Sequence, residues 1–290
     1  MKLIKQSFEI LEQKDYSLVG IKKFIERCGR VCYKSEDRTT EDSYEKFVNM
    51  LEKRDHARPL EFGTVHLKLT LNALDLFQET VVTSKIFNNQ WIQWDIEEDS
   101  EDNEYYAYMT TNYRYYLALL NEAPWLPKYL DSNDNEFYPK RYTVHFITSR
   151  GIMDEFRTHV GLSHLAESSR YCSYDKNRFG NELTFIIPNW VNTNCPNKEQ
   201  EEPSVASIEW STAMLDSEAS YMNLIKMGCT AQEAREVLPL SIKSELISCG
   251  FEDAWKNFFY RRCAKDAHPM AREIAIPLQE KFKEFNYDNQ

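Results

Sequence analysis

Arg157-Thr158-His159-Val160-Gly161-Leu162-Ser163-His164-Leu165-Ala166-Glu167-Ser168-Ser169-Arg170-Tyr171-Cys172-Ser173-Tyr174 is the least ordinary stretch of this chain. Arg157, His159, Ser163, His164, Ser168, Ser169, Arg170 and Tyr171 fall within fifteen positions. Hydroxyls, imidazoles and guanidiniums at this density are donors for phosphate and for base or sugar oxygens. By composition alone the stretch is equally a polar loop facing water. A second basic cluster comes later, with Arg235 and then Asn257, Arg261, Arg262 and His268. Asn257 and Arg261 share a helix face at i, i+4. Trp255, Phe258, Phe259 and Ile247 surround these cations with apolar groups, which favours a local anion site over an exposed basic strip.

Around these clusters the periodicity alternates between helix and strand. Ser17 to Gly29 reads as a helix with Val19, Phe24 and Ile25 on its apolar side and Gly29 near its end. Thr40 to Lys53 reads as another, with Tyr44, Phe47, Val48 and Leu51 on one stripe. Thr64 to Leu71 switches to period two: Val65, Leu67, Leu69 and Leu71 face one way, His66, Lys68 and Thr70 the other. Tyr142 to Thr148 and Leu183 to Ile187 read as strands, and a short helix runs from Gly151 to about Val160. Ser204 to Met227 reads as a long helix, and Thr230 with Glu233 as a capping box. Glu252 to Ala264 and Pro269 to Phe285 read as the last two helices. The acidic run from Asp95 to Asp102 reads as a solvated loop. The aromatics near it, among them Trp94, Tyr108, Tyr113 and Tyr116, read as packing groups rather than a base-stacking platform, since the local charge has the wrong sign for nucleic acid. Strands among helices, without repeat or linker, give the fold class α/β in the mixed α+β sense.

The whole chain sets limits. Its 290 residues carry 35 basic and 46 acidic side chains, a formal charge of −11, which argues against a DNA-coating protein but not against a small anionic ligand. Hydrophobic residues at 42% exclude general disorder. No apolar run approaches the roughly 20 residues of a membrane span. Glu9, Glu12 and Lys14 interrupt any leader-like stretch, so a cytoplasmic protein is expected. The seven Cys include no Cys-x-x-Cys pair, and buried, idle thiols are expected. His159 and His164 lack a nearby third ligand, so no zinc site is expected. There is no G-x-G-x-x-G, no phosphate-cradling G-x-x-x-x-G-K-[ST] and no G-x-S-x-G.

In combination the segments resemble the flavin-dependent thymidylate synthases. Ser163-x-x-x-x-Ser168-x-Arg170-Tyr171 matches the second half of that family's signature. Leu60-Glu61-Phe62-Gly63-Thr64-Val65, Phe179-Gly180-Asn181-Glu182-Leu183-Thr184-Phe185, Ala234-Arg235-Glu236-Val237-Leu238-Pro239 and Asn257-Phe258-Phe259-Tyr260-Arg261-Arg262 extend the likeness. It covers roughly residues 1–72 and 140–285, so 1–290 is expected to be a single domain of that fold with an insertion at 73–139. The resemblance implies a homotetramer with sites at subunit junctions. It implies reductive methylation of dUMP to dTMP with FAD as cofactor, and with NADPH and methylenetetrahydrofolate as co-substrates. By resemblance Ser168, Arg170 and Tyr171 hold the dUMP phosphate and sugar, joined by Arg235. Arg262 reaches the pyrimidine, and with Ser168 is assigned to catalysis. Arg157, His159, Ser163 and Asn257 are assigned to FAD. No metal, nucleic acid or membrane is implied.

The sequence departs from the family pattern in three places. The family's R-H-R falls on Thr158-His159-Val160, with Arg157 one residue early; its L-E-H reads Leu60-Glu61-Phe62; an expected acid or amide is Ala166. These departures keep a second function open: a divergent homologue that binds a pyrimidine nucleotide but performs altered one-carbon chemistry, or a non-catalytic scaffold.

Overall fold

The computed structural model describes residues 1–81, 90–99, 103–168, 174, 182–191 and 203–287. Two short strands, β1 (Lys2–Ile4) and β2 (Ser7–Leu11), lead into α1 (Leu18–Tyr33). Ser17 caps α1 by accepting from the Gly20 N–H. α1 runs four residues past Gly29 and ends at Lys34, whose φ of 47° puts it in the left-handed region. Val19, expected on the apolar side, is exposed, while Phe24 and Ile25 are buried. α2 (Ser43–Lys53) buries Phe47, Val48 and Leu51 as its stripe requires.

β3 (Thr64–Thr70) departs from simple alternation. Val65, Leu67 and Leu69 are buried, but so is His66 on the other face, stacked between Tyr16 and Tyr138 at 4.1 and 4.0 Å. Leu71 is exposed and opens α3 (Leu71–Val81) instead of extending the strand. The acidic run does not begin as a loop: β4 (Ile92–Asp99) pairs antiparallel with β5 (Glu104–Asn112). α4 (Tyr113–Leu119) follows, capped by Asn112, and then β6 (Leu130–Asp131). These strands form one sheet in the order β4-β5-β3-β6, and its core includes Tyr113 and Tyr116.

β7 (Arg141–Ser149), α5 (Arg150–Phe156) and β8 (Ser163–Ala166) follow. β9 (Thr184–Ile186) pairs parallel with β1. α6 (Val205–Lys226) and the short α7 (Ala231–Ala234) come next, and α7 carries the expected capping box of Thr230 and Glu233. β10 (Lys243–Phe251), α8 (Glu252–Arg262) and α9 (Pro269–Tyr287) complete the order. The second large sheet runs β2-β7-β10-β8 and is antiparallel throughout. α5, α8 and α9 cover one face through Phe156, Trp255, Phe258 and Leu278. α1 covers the other through Phe24 and Cys28, against Leu165, Ile247 and Cys249. Antiparallel sheets with helices on their faces make the fold mixed α+β. No helix among the described residues is long and apolar enough to cross a membrane.

Candidate functional site

β8 places the signature. Its residues alternate, so Ser163, Leu165 and then Glu167 turn inward, whereas His164, Ala166 and Ser168 are half-buried. His164, Leu165, Ala166 and Ser168 line one side of a cleft of about 1260 Å³. Residues 164–168 of the polar stretch are therefore part of a structured wall rather than a surface loop. Arg170 and Tyr171 lie outside the described residues.

The backbone before Ser168 is held from within. The Glu167 N–H donates to the Glu245 carbonyl at 2.8 Å. The Glu167 carboxylate is buried; one oxygen accepts from Lys243 at 3.1 Å, and the other has no hydrogen-bond partner among the described residues. Burial alone would lower the Lys243 pKa, but Glu167 and Glu245 outweigh it and raise it. Burial likewise opposes the Glu245 charge, yet His145, Lys243 and Lys34 hold its carboxyl well below the usual range. This paired network fixes the β8 terminus without leaving a lone charge in the core.

His164 is neutral. Its Nε2–H donates to the His159 carbonyl at 3.2 Å and its Nδ1 accepts from Ser248 Oγ at 2.9 Å. Burial pushes its pKa down to about 4. His159 is 5% exposed, packs on Phe258 and accepts from Arg262 Nε at 2.8 Å. Burial, then the Arg262 charge, lowers its pKa to about 4. Arg262 also donates to the Glu155 carboxylate at 2.7 Å, the Glu155 carbonyl at 2.6 Å and Thr158 Oγ1 at 3.3 Å. Gly161, at φ +94°, turns the chain from this knot into β8, a conformation that suits glycine.

Two candidates read separately, His159 and Arg262, are thus joined to each other. Neither lines the cleft. Ser163 is buried, and its Oγ donates to Glu61 at 2.6 Å. Arg157 is exposed and pairs with Asp154 at 3.5 Å. Asn257 accepts from Arg261 at 3.3 Å and lines a smaller pocket of about 230 Å³ with Val160 and Gly161. Arg235 follows α7 and pairs with Glu236 at 3.3 Å. Of the described residues assigned to dUMP or FAD, only Ser168 reaches the large cleft.

The rest of the cleft lining was not singled out by sequence. It carries Arg38, Lys46, Arg54, Arg58 and Arg114, with Asp55 as the one carboxylate of the lining among the described residues. Arg30 also lines it but is neutralised by buried Glu26 at 2.6 Å. These cations are scattered over 77 positions, so no local run announces them; the turn after α1, α2, the turn before β3 and α4 bring them together. In a chain of charge −11 this is a concentrated positive region, suited to a phosphate-bearing ligand.

A comparison with curated protein sequences finds no match. Among solved structures, a UMP/dUMP methylase, PolB, from Streptomyces cacaoi, crystallised with 5-Br UMP, aligns over 98% of this chain and 92% of its own. The identity is 12% and the TM-score 0.44. Residues 137–285, just over half of the chain, match the family model described as thymidylate synthase complementing protein. They hold β7 to α9 and every candidate read from the signature and the later basic cluster, and the chain belongs to that family.

Proposed function

We propose that the protein is a flavin-dependent thymidylate synthase that reductively methylates dUMP to dTMP, using methylenetetrahydrofolate and NADPH. The observation that carries this reading is Ser168, inside the family-matched region, on the wall of a large basic cleft. Ser168 and Arg170 hold the dUMP phosphate and Tyr171 the sugar, as charge-assisted hydrogen bonds favour. Arg262 serves the pyrimidine oxygens, where a fixed cation stabilises developing negative charge.

The cleft fits a cofactor such as FAD in size and sign. At about 1260 Å³ it exceeds the roughly 300–1,000 Å³ of ordinary ligand pockets. When bound, the flavin supplies hydride transfer. The chain positions the planar ligands and excludes water between them. Arg157, His159, Ser163 and Asn257 are the candidates for the flavin side, although none of the four lines this cleft in its own chain.

Arg235 and Arg262 do not line the cleft of their own chain. A homotetramer that brings them to a neighbour's cleft supplies the missing groups. Val205, Ile208, Thr212, Leu215 and Ala219 support self-association, because they form an exposed stripe at heptad spacing along α6. Residues 1–290 then form one domain, with 73–139 as an insertion.

The second reading, a nucleotide-binding homologue with altered or no one-carbon chemistry, draws on Thr158 and Val160. Val160 is 78% exposed, and the Thr158 hydroxyl donates to the Glu155 carbonyl at 2.7 Å. Neither supplies a cation.

Two titrations of the full chain separate the readings. FAD binding followed by flavin fluorescence, together with dUMP binding by calorimetry, is expected for the synthase. Ser168→Ala should weaken dUMP by about tenfold, the scale of one lost charged hydrogen bond. Binding of dUMP without FAD selects the second reading. Absence of dUMP binding removes both.

A further inference from the structure

A buried charge cluster lies beneath the cleft lining. Lys243 and Glu245 stand two apart on β10 and so share one face of the sheet, the face that α1 covers. Glu167 continues the β8–β10 register, in which Ala166 faces Leu246, and therefore stands opposite Glu245. Two carboxylates in that relation repel each other unless a cation lies between them. Lys243 is that cation: its ammonium pairs with Glu167 at 3.1 Å and with Glu245. Glu245 is the hub. One of its oxygens takes both Lys243 and Lys34, and the other accepts from His145 Nε2 at 2.9 Å. Two ammoniums thus balance two carboxylates, and none of the four side chains is more than 17% exposed. Glu36, about half exposed, adds a longer contact to Lys34 at 3.8 Å. Within the cluster each charge depends on its partners rather than on water.

Lys34 ends α1 at φ 47°, a left-handed conformation that a residue with a Cβ adopts at a cost. Its neighbours Tyr33 and Ser35 line the cleft, whereas its own side chain reaches into the cluster. Glu167 does the same at the end of β8: Ala166 and Ser168 line the cleft, and Glu167 turns inward. One set of charges therefore fastens two stretches of the lining that are far apart in sequence. Glu167 has no other ion pair among the described residues, so its hold on the chain depends on Lys243. Lys34 lies outside the family-matched residues 137–285.

We propose that Lys34, Glu245 and Lys243 are positioning residues for Ser168: the Lys34 charge on Glu245 leaves Lys243 able to hold Glu167, and Glu167 fixes the backbone that presents Ser168 to the cleft. This deepens the proposed function and rests on it for the ligand, dUMP, but not for the coupling itself. Without Lys34, Glu245 draws Lys243 to itself, and buried Glu167 is left uncompensated beside Ser168. Removing the Glu245 charge as well returns Lys243 to Glu167.

The test is hydrogen exchange of the full chain without ligand, read by mass spectrometry, followed by calorimetric titration with dUMP. Lys34→Met should speed exchange in 163–168, where the Glu245 carbonyl holds the Glu167 N–H, by about tenfold, and leave β5 unchanged. It should weaken dUMP about fivefold to tenfold. Lys34→Met combined with Glu245→Gln should move both readouts back toward the parent. General damage to packing gives no such rescue, because two lesions would then add. Should Lys34→Met fail to fold, Glu167→Gln runs the test in reverse. The cluster then becomes net positive, and exchange should rise in 33–36, where the Lys34 and Ser35 N–H groups are held by the Arg30 carbonyl. No rise there overturns the proposal. So does exchange in 163–168 that Lys34→Met leaves unchanged, or that rises equally in β5, and so does a double variant worse than Lys34→Met. Coupled exchange with dUMP affinity unmoved, in a parent that binds dUMP, overturns the positioning of Ser168. Coupled exchange in a parent that never binds dUMP supports the positioning unit and removes the nucleotide reading.

Discussion

Gly29 shows how a single residue can be read correctly as unusual and wrongly as to why. A glycine near the end of an apolar-periodic stretch signals a helix terminus. In the structure α1 continues to Tyr33, and Gly29 is a buried position that faces Phe47 of α2. A Cβ at this position would lie 2.7 and 2.8 Å from two ring carbons of Phe47. Gly29→Ala gains about 1 kcal/mol of helix propensity. Overpacking typically costs about 1–3 kcal/mol, and here the obstacle is a buried ring. We expect a net loss of about 1 kcal/mol, read as a lower urea midpoint. A raised midpoint would show that α2 yields freely. Buried polar residues were harder to read. His66 looked outward by alternation, but Tyr16 and Tyr138, 50 and 72 positions away, cover it. Ser163 stands out by its place in the signature, but its hydroxyl partner, Glu61, is 102 positions distant. No local pattern carries such pairings.

At the scale of elements, helices with a single apolar stripe and a capping residue were legible, and strands much less so. β10 was missed because eight of its nine residues are buried, among them Ser244, Glu245 and Ser248. A strand covered on both faces loses its period, and partners elsewhere in the chain satisfy its polar groups. β4 was hidden by charge. It lies at the edge of its sheet, with Asp95, Ile96, Glu97 and Glu98 exposed, while Ile92 is buried. Acidic side chains on an open edge discourage pairing with another chain. Replacing Asp95, Glu97 and Glu98 together by Thr raises strand propensity and removes that protection. The triple variant should keep its fold by circular dichroism yet self-associate, seen as rising light scattering with concentration at moderate salt. Scattering identical to the parent's would show that charge does not guard this edge.

Over the whole molecule, the mixed α+β class and the family were legible, because they rest on helix periodicity and on one dense signature. The β4-β5-β3-β6 sheet and the basic part of the cleft lining were not, because each assembles residues from distant segments. The same assembly makes the protein sensitive to acid. Burial, as the first cause in each case, holds His66, His159 and His164 at about 4, against an ordinary 6.5. Between those values the unfolded chain takes up protons that the folded one refuses, so stability falls as pH drops from 6.5 toward 4. The gap corresponds to roughly 3 kcal/mol for each fully buried ring, and somewhat less for the half-buried His164. Glu245, held well below its ordinary value, adds a loss of the same sign at lower pH. By pH 5 about 2 kcal/mol of this is lost per ring, about 6 for the three, a large part of a total of about 5–15 kcal/mol. Urea midpoints at pH 7.5, 6 and 5 should therefore decline steeply, with about two to three protons taken up on unfolding near the lowest pH. His66→Phe keeps the ring stack but removes one titrating group and its bond to the Asn133 carbonyl. It should cost about 1 kcal/mol at pH 7.5 and remove up to one proton from the slope. Midpoints that stay constant from pH 6.5 to 5 in the parent would mean that these imidazoles are charged in the folded protein, and the neutral His164 on the cleft wall would have to be abandoned with them.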